Sequence, residues 1–333
     1  MNEKKLIAYL RRNNLISSQR VRVTPLSGGV SSDILLIEDG DRRFVLKRAL
    51  GRLRVKDEWR ADVSRNHYEQ AYMRYAGRIL PQHVPGILHS DRRMGFFTMP
   101  YLSGAWSNWK QDLLCGRIQA DCARLAGRFL GTVHSASWGD AELKAHFDNT
   151  DLFYQLRIEP YLLTTGRRTP ELRPLFEAEA DRLAATRLAL VHGDFSPKNL
   201  LVRAGGLMVL DCEVAWFGDP AFDVGFLLNH LFLKSIHLPE QHLSYLKLVD
   251  VFLARYRAHM ARVFDAEFEQ RVSRLLLMLM LARIVGKSPA EYLMDDSRKV
   301  EFIKAFVHRS LATGPLRIDS VQADWADRIQ DIQ

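Results

Sequence analysis

A chain of 333 residues is long enough for about two domains, at roughly 150 residues each, or for one large one. With 47% hydrophobic and 26% charged residues it has the make-up of a globular chain with a packed core, which excludes wholesale disorder and a mini-protein that depends on cross-links. An excess of 47 basic over 39 acidic side chains gives +8, but the basic residues come in short groups interleaved with acids (Arg11 with Arg12, Arg92 with Arg93), so no nucleic-acid-binding face is expected.

The longest purely apolar run, residues 275–282, has eight residues against the ~20 that span a bilayer, so no membrane contact is expected. No apolar signal core follows Met1, and Cys115, Cys122 and Cys212 are too few for a disulfide framework, so a reducing cytoplasm is the expected location. In chain order, residues 6–12 read as a short helix. Residues 21–26, 34–37 and 43–48 read as a three-stranded meander broken by Gly28-Gly29 and by Asp39-Gly40-Asp41. From about residue 56 to 79 the spacing becomes helical, with Tyr68, Tyr72, Tyr75 and Ile79 on one face, and Pro81 stops it. Residues 86–89 and 96–99 suggest two more short strands, and 102–104 a connector.

Beyond that point the pattern is mostly helical. Helices are expected around 118–133, 153–163, 222–233, 243–260, 268–285 and 300–311, interrupted by short strands near 188–191 and 207–211. This order makes an α+β chain with a strand-rich front and a helical back.

The strongest chemical signal is His192-Gly193-Asp194-Phe195-Ser196-Pro197-Lys198-Asn199, followed twelve residues on by Asp211-Cys212-Glu213. Phosphoryl transfer needs a carboxylate to take or orient the proton of an attacking hydroxyl, and an amide and further carboxylates to hold magnesium across nucleotide phosphates. Asp194 fits the first post; Asn199, Asp211 and Glu213 fit the others. If 207–213 is extended, alternation puts Asp211 and Glu213 on the same side. Taken singly, Asp194 is an ordinary turn residue and Asp211 an ordinary strand end; their order and spacing favour chemistry.

These segments, with Gly218-Asp219-Pro220-Ala221-Phe222-Asp223, resemble the aminoglycoside phosphotransferase and choline kinase superfamily of small-molecule kinases. Within it, Asp211-Cys212-Glu213, Phe222-Asp223-Val224-Gly225 and Arg283-Ile284-Val285-Gly286 look most like the methylthioribose kinase branch, although Ala282 stands where that branch tends to carry a second arginine. The resemblance implies a bilobal protein-kinase-like fold: residues 1–102 a small antiparallel-sheet N-lobe that binds nucleotide and carries one long helix, residues 103–333 a larger, mostly helical C-lobe with the catalytic and substrate sites. It also implies ATP as phosphate donor and Mg2+ as cofactor.

In that fold Gly28, Gly29, Ser31 and Ser32 let backbone N–H groups approach phosphates, and Lys47 in the third strand grips them. Glu69, with Glu58 as the fallback, pairs with Lys47. Met99 to Leu102 form the hinge to adenine, with Leu102 the donor because Pro100 lacks an N–H. Asp219 and Asp223 are expected to brace the catalytic loop. Four residues between Glu213 and Gly218 leave no room for a phosphorylated activation loop.

Substrate contacts are expected from Trp216, Phe217, Asn229, His230 and Arg283. The acceptor is then a small metabolite alcohol, sugar-like in the first reading. An aminoglycoside or a choline-like amino alcohol is the alternative, and a non-catalytic nucleotide sensor is the alternative of another class. The many arginines of the last helices tilt the acceptor towards neutral or anionic molecules. Monomer and homodimer are both left open.

Overall fold

The computed structural model describes residues 3–26, 32–51, 62–314 and 316–332. The chain divides into two compact units, Met1–Ala105 and Trp106–Gln333, where the sequence suggested a division after residue 102.

In the first unit, α1 (Glu3–Arg12) precedes β1 (Val21–Pro25), β2 (Ser32–Asp39) and β3 (Arg42–Ala49); α2 (Arg65–Ile79), β4 (His89–Asp91) and β5 (Phe96–Pro100) follow. The strands form one antiparallel sheet in the order β1-β2-β3-β5-β4. Leu6, Tyr9 and Leu10 of α1 pack with Ile37, Phe44, Leu46 and Phe96 into one core cluster. Strand alternation then turns Val45 and Lys47 to the opposite face. The buried stripe of α2 runs through Glu69, Tyr72, Met73 and Ala76. It is rotated from the expected stripe: Tyr68, Tyr75 and Ile79 stay partly exposed. Residues 56–61 of the expected helix lie outside the described residues.

The second unit starts with β6 (Ser107–Asn108), α3 (Trp109–Leu114), α4 (Ala120–Ser137), α5 (Ala141–His146) and α6 (Thr150–Phe153). The expected helix at 153–163 is a π-helical stretch, Tyr154–Leu163, with Pro160 inside it. A proline cannot donate to the preceding turn, and a wider winding accommodates the lost bond. Then come α7 (Thr164–Arg168), α8 (Arg173–Ala185), β7 (Ala189–Val191), β8 (Leu200–Arg203), β9 (Gly206–Val209) and β10 (Trp216–Gly218). Four long helices close the unit with α13 (Ile318–Ile329): α9 (Ala221–His237), α10 (His242–His259), α11 (Ala266–Val285) and α12 (Ser297–Ala312). No helix among the described residues is long and apolar enough to cross a membrane.

Two small ladders matter for the site. β7 pairs with β10, and β8 pairs with β6 and β9, so the loop between β7 and β8 is held at both ends by sheet. Helices α4 and α10 pack closely because Gly127 and Gly131 present no side chain: a Cβ on Gly127 would collide with the Phe252 carbonyl oxygen, and one on Gly131 would lie 2.9 Å from His259 Cβ. Gly127→Ala must therefore push two helices apart. A loss of about 1–3 kcal/mol is expected, read as a lower urea midpoint at unchanged slope; an unaltered midpoint would mean that the helices can separate freely.

Candidate active site

Residues 192–199 leave β7 through a turn only glycine accommodates. Gly193 has φ +77°, and a Cβ there would run into the Val214 carbonyl oxygen. The turn aims two backbone N–H groups at one buried carboxylate. His192 N donates to Asp223 Oδ2 at 2.7 Å and Gly193 N to Oδ1 at 2.9 Å. Asp223 is fully buried in the first turn of α9, where the helix dipole favours a negative charge. His134 of α4 completes the arrangement: its Nε2 lies 3.3 Å from Asp223 Oδ2 and its Nδ1 2.9 Å from the Tyr256 hydroxyl of α10. Burial, and then the charge of Asp223, push the Tyr256 phenol well above its usual range, so it stays protonated and donates.

Asp194 follows this anchored turn and is 5% exposed. Its Oδ2 meets two cations, Lys198 Nζ at 3.0 Å and Arg157 Nη2 at 3.2 Å. Arg157 also donates through Nε to the Gly193 carbonyl and through Nη1 to Leu156 O at 2.6 Å. Asn199 Nδ2 donates to the Asp194 carbonyl at 2.9 Å, which turns its amide oxygen, a hard donor, to the other side. Partial burial opposes charging of Lys198, but attraction to Asp194 and Asp211 prevails and raises its pKa.

The second loop hangs on the first. The buried His192 ring is pushed down in pKa by desolvation, despite Asp223, Asp194 and Asp211 nearby, and so is neutral. Its Nδ1 accepts from Asp194 N at 3.2 Å, leaving Nε2–H to donate to the Leu210 carbonyl at 3.2 Å. Leu210 N in turn donates to Asn199 O at 2.9 Å. Directly after this tie the chain turns sharply: Asp211 has φ +61°, and β9 has already ended at Val209. Strand alternation is thus not what aligns Asp211 with Glu213, as the sequence suggested. The left-handed residue, a conformation aspartate tolerates better than most, brings a carboxylate oxygen of each within 4.8 Å. Two close carboxylates are hard oxygen donors of the kind magnesium takes.

Other expected residues have varied places. Gly28, Gly29, Ser31 and the fallback Glu58 lie outside the described residues. Ser32 opens β2 and is buried. Lys47 Nζ and Glu69 Oε1 are 2.6 Å apart, each side chain 3% exposed. Met99 faces Val45 across β3 and β5, and Leu102 lies just beyond β5, partly exposed. Trp216 and Phe217 are not placed to touch a substrate. Both are buried in β10, and Trp216 stacks on Phe153 at 4.2 Å and donates from Nε1 to Thr150 at 3.3 Å. Asn229 is fully buried and returns its amide N–H to Phe226 O at 2.5 Å within α9. Asp219 does not brace the catalytic loop: it caps Ala221 N at 3.0 Å and receives Arg182 at 2.6 Å and Arg271 at 3.1 Å.

His230 and Arg283 are each 8% exposed. Arg283 grips the Ser288 carbonyl and hydroxyl. Burial, then Lys234, Arg283, Lys198 and Lys110, hold His230 well below its ordinary pKa. The sequence reading missed Arg157 and Lys198. Lys198 sits four residues after Asp194 in the motif itself. The signal for Arg157 was a lone cation inside an apolar helical run, Leu156 to Ile158.

Comparison with known proteins gives a family and a fold. A match to the phosphotransferase enzyme family runs over residues 22–279. The methylthioribose kinases of Pectobacterium atrosepticum and Yersinia enterocolitica are each 26% identical over 266 residues, covering 70% of this chain and 66% of theirs, so the match spans just under two thirds of those relatives. The choline kinase of Cryptosporidium parvum superposes with a TM-score of 0.56 at 12% identity, covering 96% of this chain and 99% of its own, a likeness of fold. The fold is the protein-kinase-like one, with an antiparallel sheet in the first unit and mostly helices in the second.

Two measurements check the electrostatics. Asp223→Asn replaces an acceptor oxygen with an N–H donor facing backbone N–H groups; a loss of about 1–3 kcal/mol is expected from the stranded amide, and an unchanged urea midpoint would show that the amides have other partners. Lys234 is fully buried, and desolvation, then Lys110 and Arg283, lower its pKa from 10.5 to about 7. Between these values the unfolded chain holds a proton that the folded one lacks, so this group's penalty is full below pH 7 and fades as pH rises. Lys234→Met should thus be most stabilising at about pH 6 and less so at about pH 9; the opposite trend in urea midpoints would contradict the shift.

Proposed function

Since the chain belongs to the phosphotransferase enzyme family, we propose that it is an ATP- and magnesium-dependent kinase that phosphorylates a hydroxyl of a small metabolite, sugar-like in kind and acting in the cytoplasm. One observation carries the reading: a buried Asp194, on a loop clamped by Asp223, is tied through His192 and Asn199 to a second loop that presents two carboxylates. Asp194 accepts and orients the hydroxyl of the acceptor. Arg157 and Lys198 both hold Oδ2, which leaves Oδ1 for that hydroxyl and fixes the carboxylate plane. A weakly basic, well-positioned carboxylate suits a loose phosphoryl transition state, in which placement and charge neutralisation supply most of the acceleration.

Asn199, Asp211 and Glu213 would hold magnesium, which supplies charge neutralisation to the nucleotide phosphates. Lys47, kept in place by Glu69, is proposed as a phosphate ligand, with Gly28, Gly29, Ser31 and Ser32 as the phosphate turn and Met99 to Leu102 as the adenine contact. The 26% identity to methylthioribose kinases puts that sugar first among acceptors to assay. Three cysteines, Cys115, Cys122 and Cys212, are too few for a disulfide framework, which supports the reducing location.

The test is acceptor-stimulated ADP release across sugars, sugar acids, amino alcohols and aminoglycosides. Asp194→Asn should lower kcat at least about a hundredfold while ATP affinity stays unchanged; unaltered turnover would remove Asp194 from its post. Asp211→Asn should abolish the strengthening of ATP binding by magnesium, and an intact magnesium effect would remove the ligand assignment.

A further inference from the structure

Helix α9 carries the site outward from Asp223. One turn on, the Phe226 ring lies 5.8 Å from the Arg157 guanidinium and 5.5 Å from the His230 ring. Four residues further, Lys234 falls on the same helical face as His230. From the level of Phe226 to that of Lys234 is about 12 Å, at 1.5 Å per residue, a span suited to a small metabolite. Along this strip positive charge predominates. The cations that act on His230 are Lys234, Arg283, Lys198 and Lys110. Lys198 and Lys110 are partly exposed, with side chains 52% and 24% accessible, whereas Arg283 and Lys234 are buried behind them.

Buried cations ordinarily meet a carboxylate. The ammonium of Lys234 has a carbonyl of its own helix, His230 O, at 3.4 Å and the face of Tyr292 at 5.1 Å. Arg283 spends Nη1 on Ser288, and its Nε has no partner among the described residues; nor has the Tyr292 hydroxyl. The acid that acts on the group is Glu291, itself 63% exposed and paired with Lys110 at the rim. This end of the strip thus holds two donors without a partner among the described residues, Arg283 Nε and the Tyr292 hydroxyl, beside cations that repel one another. A neutral hydroxyl would bond to them without relieving that repulsion, and an anion would do both.

Resting on the kinase reading, we propose that the acceptor carries a second, anionic group, a carboxylate or a phosphate monoester, which docks against Lys234 and Arg283 while its hydroxyl faces Asp194. An anion arriving there would also restore the charge of Lys234, whose pKa burial has lowered to about 7.

The experiment compares matched acceptors with wild type, Lys234→Met and Arg283→Gln: glucose, gluconate and glucose 6-phosphate; glycerol, glycerate and glycerol 3-phosphate. In wild type at least one anionic member should exceed its neutral parent in kcat/KM by about tenfold or more, the scale of one charge-assisted hydrogen bond, and Lys234→Met should erase that ratio through KM. Carboxylate and phosphate arms tell the two anions apart. Thermal shift with the same six compounds reads binding without turnover: an anion-specific rise in Tm in wild type should vanish in Lys234→Met, which is expected to fold at least as well as wild type near neutral pH. Equal or better use of the neutral parents, or an anion preference that survives in both variants, would overturn the proposal while leaving the kinase reading intact. Anion-specific Tm shifts with no ADP release from any acceptor would support the site and count against the kinase reading.

Discussion

The arrangement depends on one buried carboxylate. Asp223 accepts the amides of His192 and Gly193, and Asp194 is the next residue. Its own position is set from three directions: the start of α9, the His134 ring, and, through His134, the Tyr256 hydroxyl. The side-chain-free contact of Gly127 and Gly131 with α10 is what lets α4 and α10 bring His134 and Tyr256 together. A helix-packing constraint is thereby converted into the placement of the loop that carries Asp194. A buried acceptor that takes three hydrogen bonds is rigid, because any displacement strands a polar group in a low-dielectric interior.

From that anchor the order propagates. His192, neutral in its desolvated site, links Asp194 to Leu210, and Asn199 links back to both. Asp211 and Glu213 therefore take their positions relative to Asp194 from backbone and ring hydrogen bonds rather than from flexible side chains. Such preorganisation is what a phosphotransferase needs, since little covalent chemistry falls to the protein. The same economy explains the arginines around Asp219. Arg182 and Arg271 on that carboxylate stabilise the α8, α9 and α11 junction and have no part in the proposed reaction.

Much of this was legible in the sequence. Apolar alternation placed β1 to β3, with Lys47 in the third strand, and mid-helix position selected Glu69 as its partner. His192 to Asn199 stood out as a candidate loop because its residue types have fixed offsets. What could not be read depends on tertiary context. Pro160 inside an apolar run suggests an ordinary helix with a break, whereas packing winds it as a π-helix that delivers Arg157 to Asp194. The left-handed conformation of Asp211 has no sequence signature, since aspartate is common at strand ends. Trp216 looked like a substrate contact because, with Phe217, it could form an aromatic cage; its burial and stacking on Phe153 assign it to the core. Helices α8 and α13 escaped notice because mixed charges blur their periodicity.

Native-state hydrogen exchange at the backbone amides of His192 and Gly193 tests the anchoring of the loop most directly. If the Asp223 carboxylate holds them as described, both should exchange only through global unfolding, with protection equal to that of the slowest amides of α9. Exchange of either amide through a local opening at low free energy would show that Asp194 is not held in place by this carboxylate.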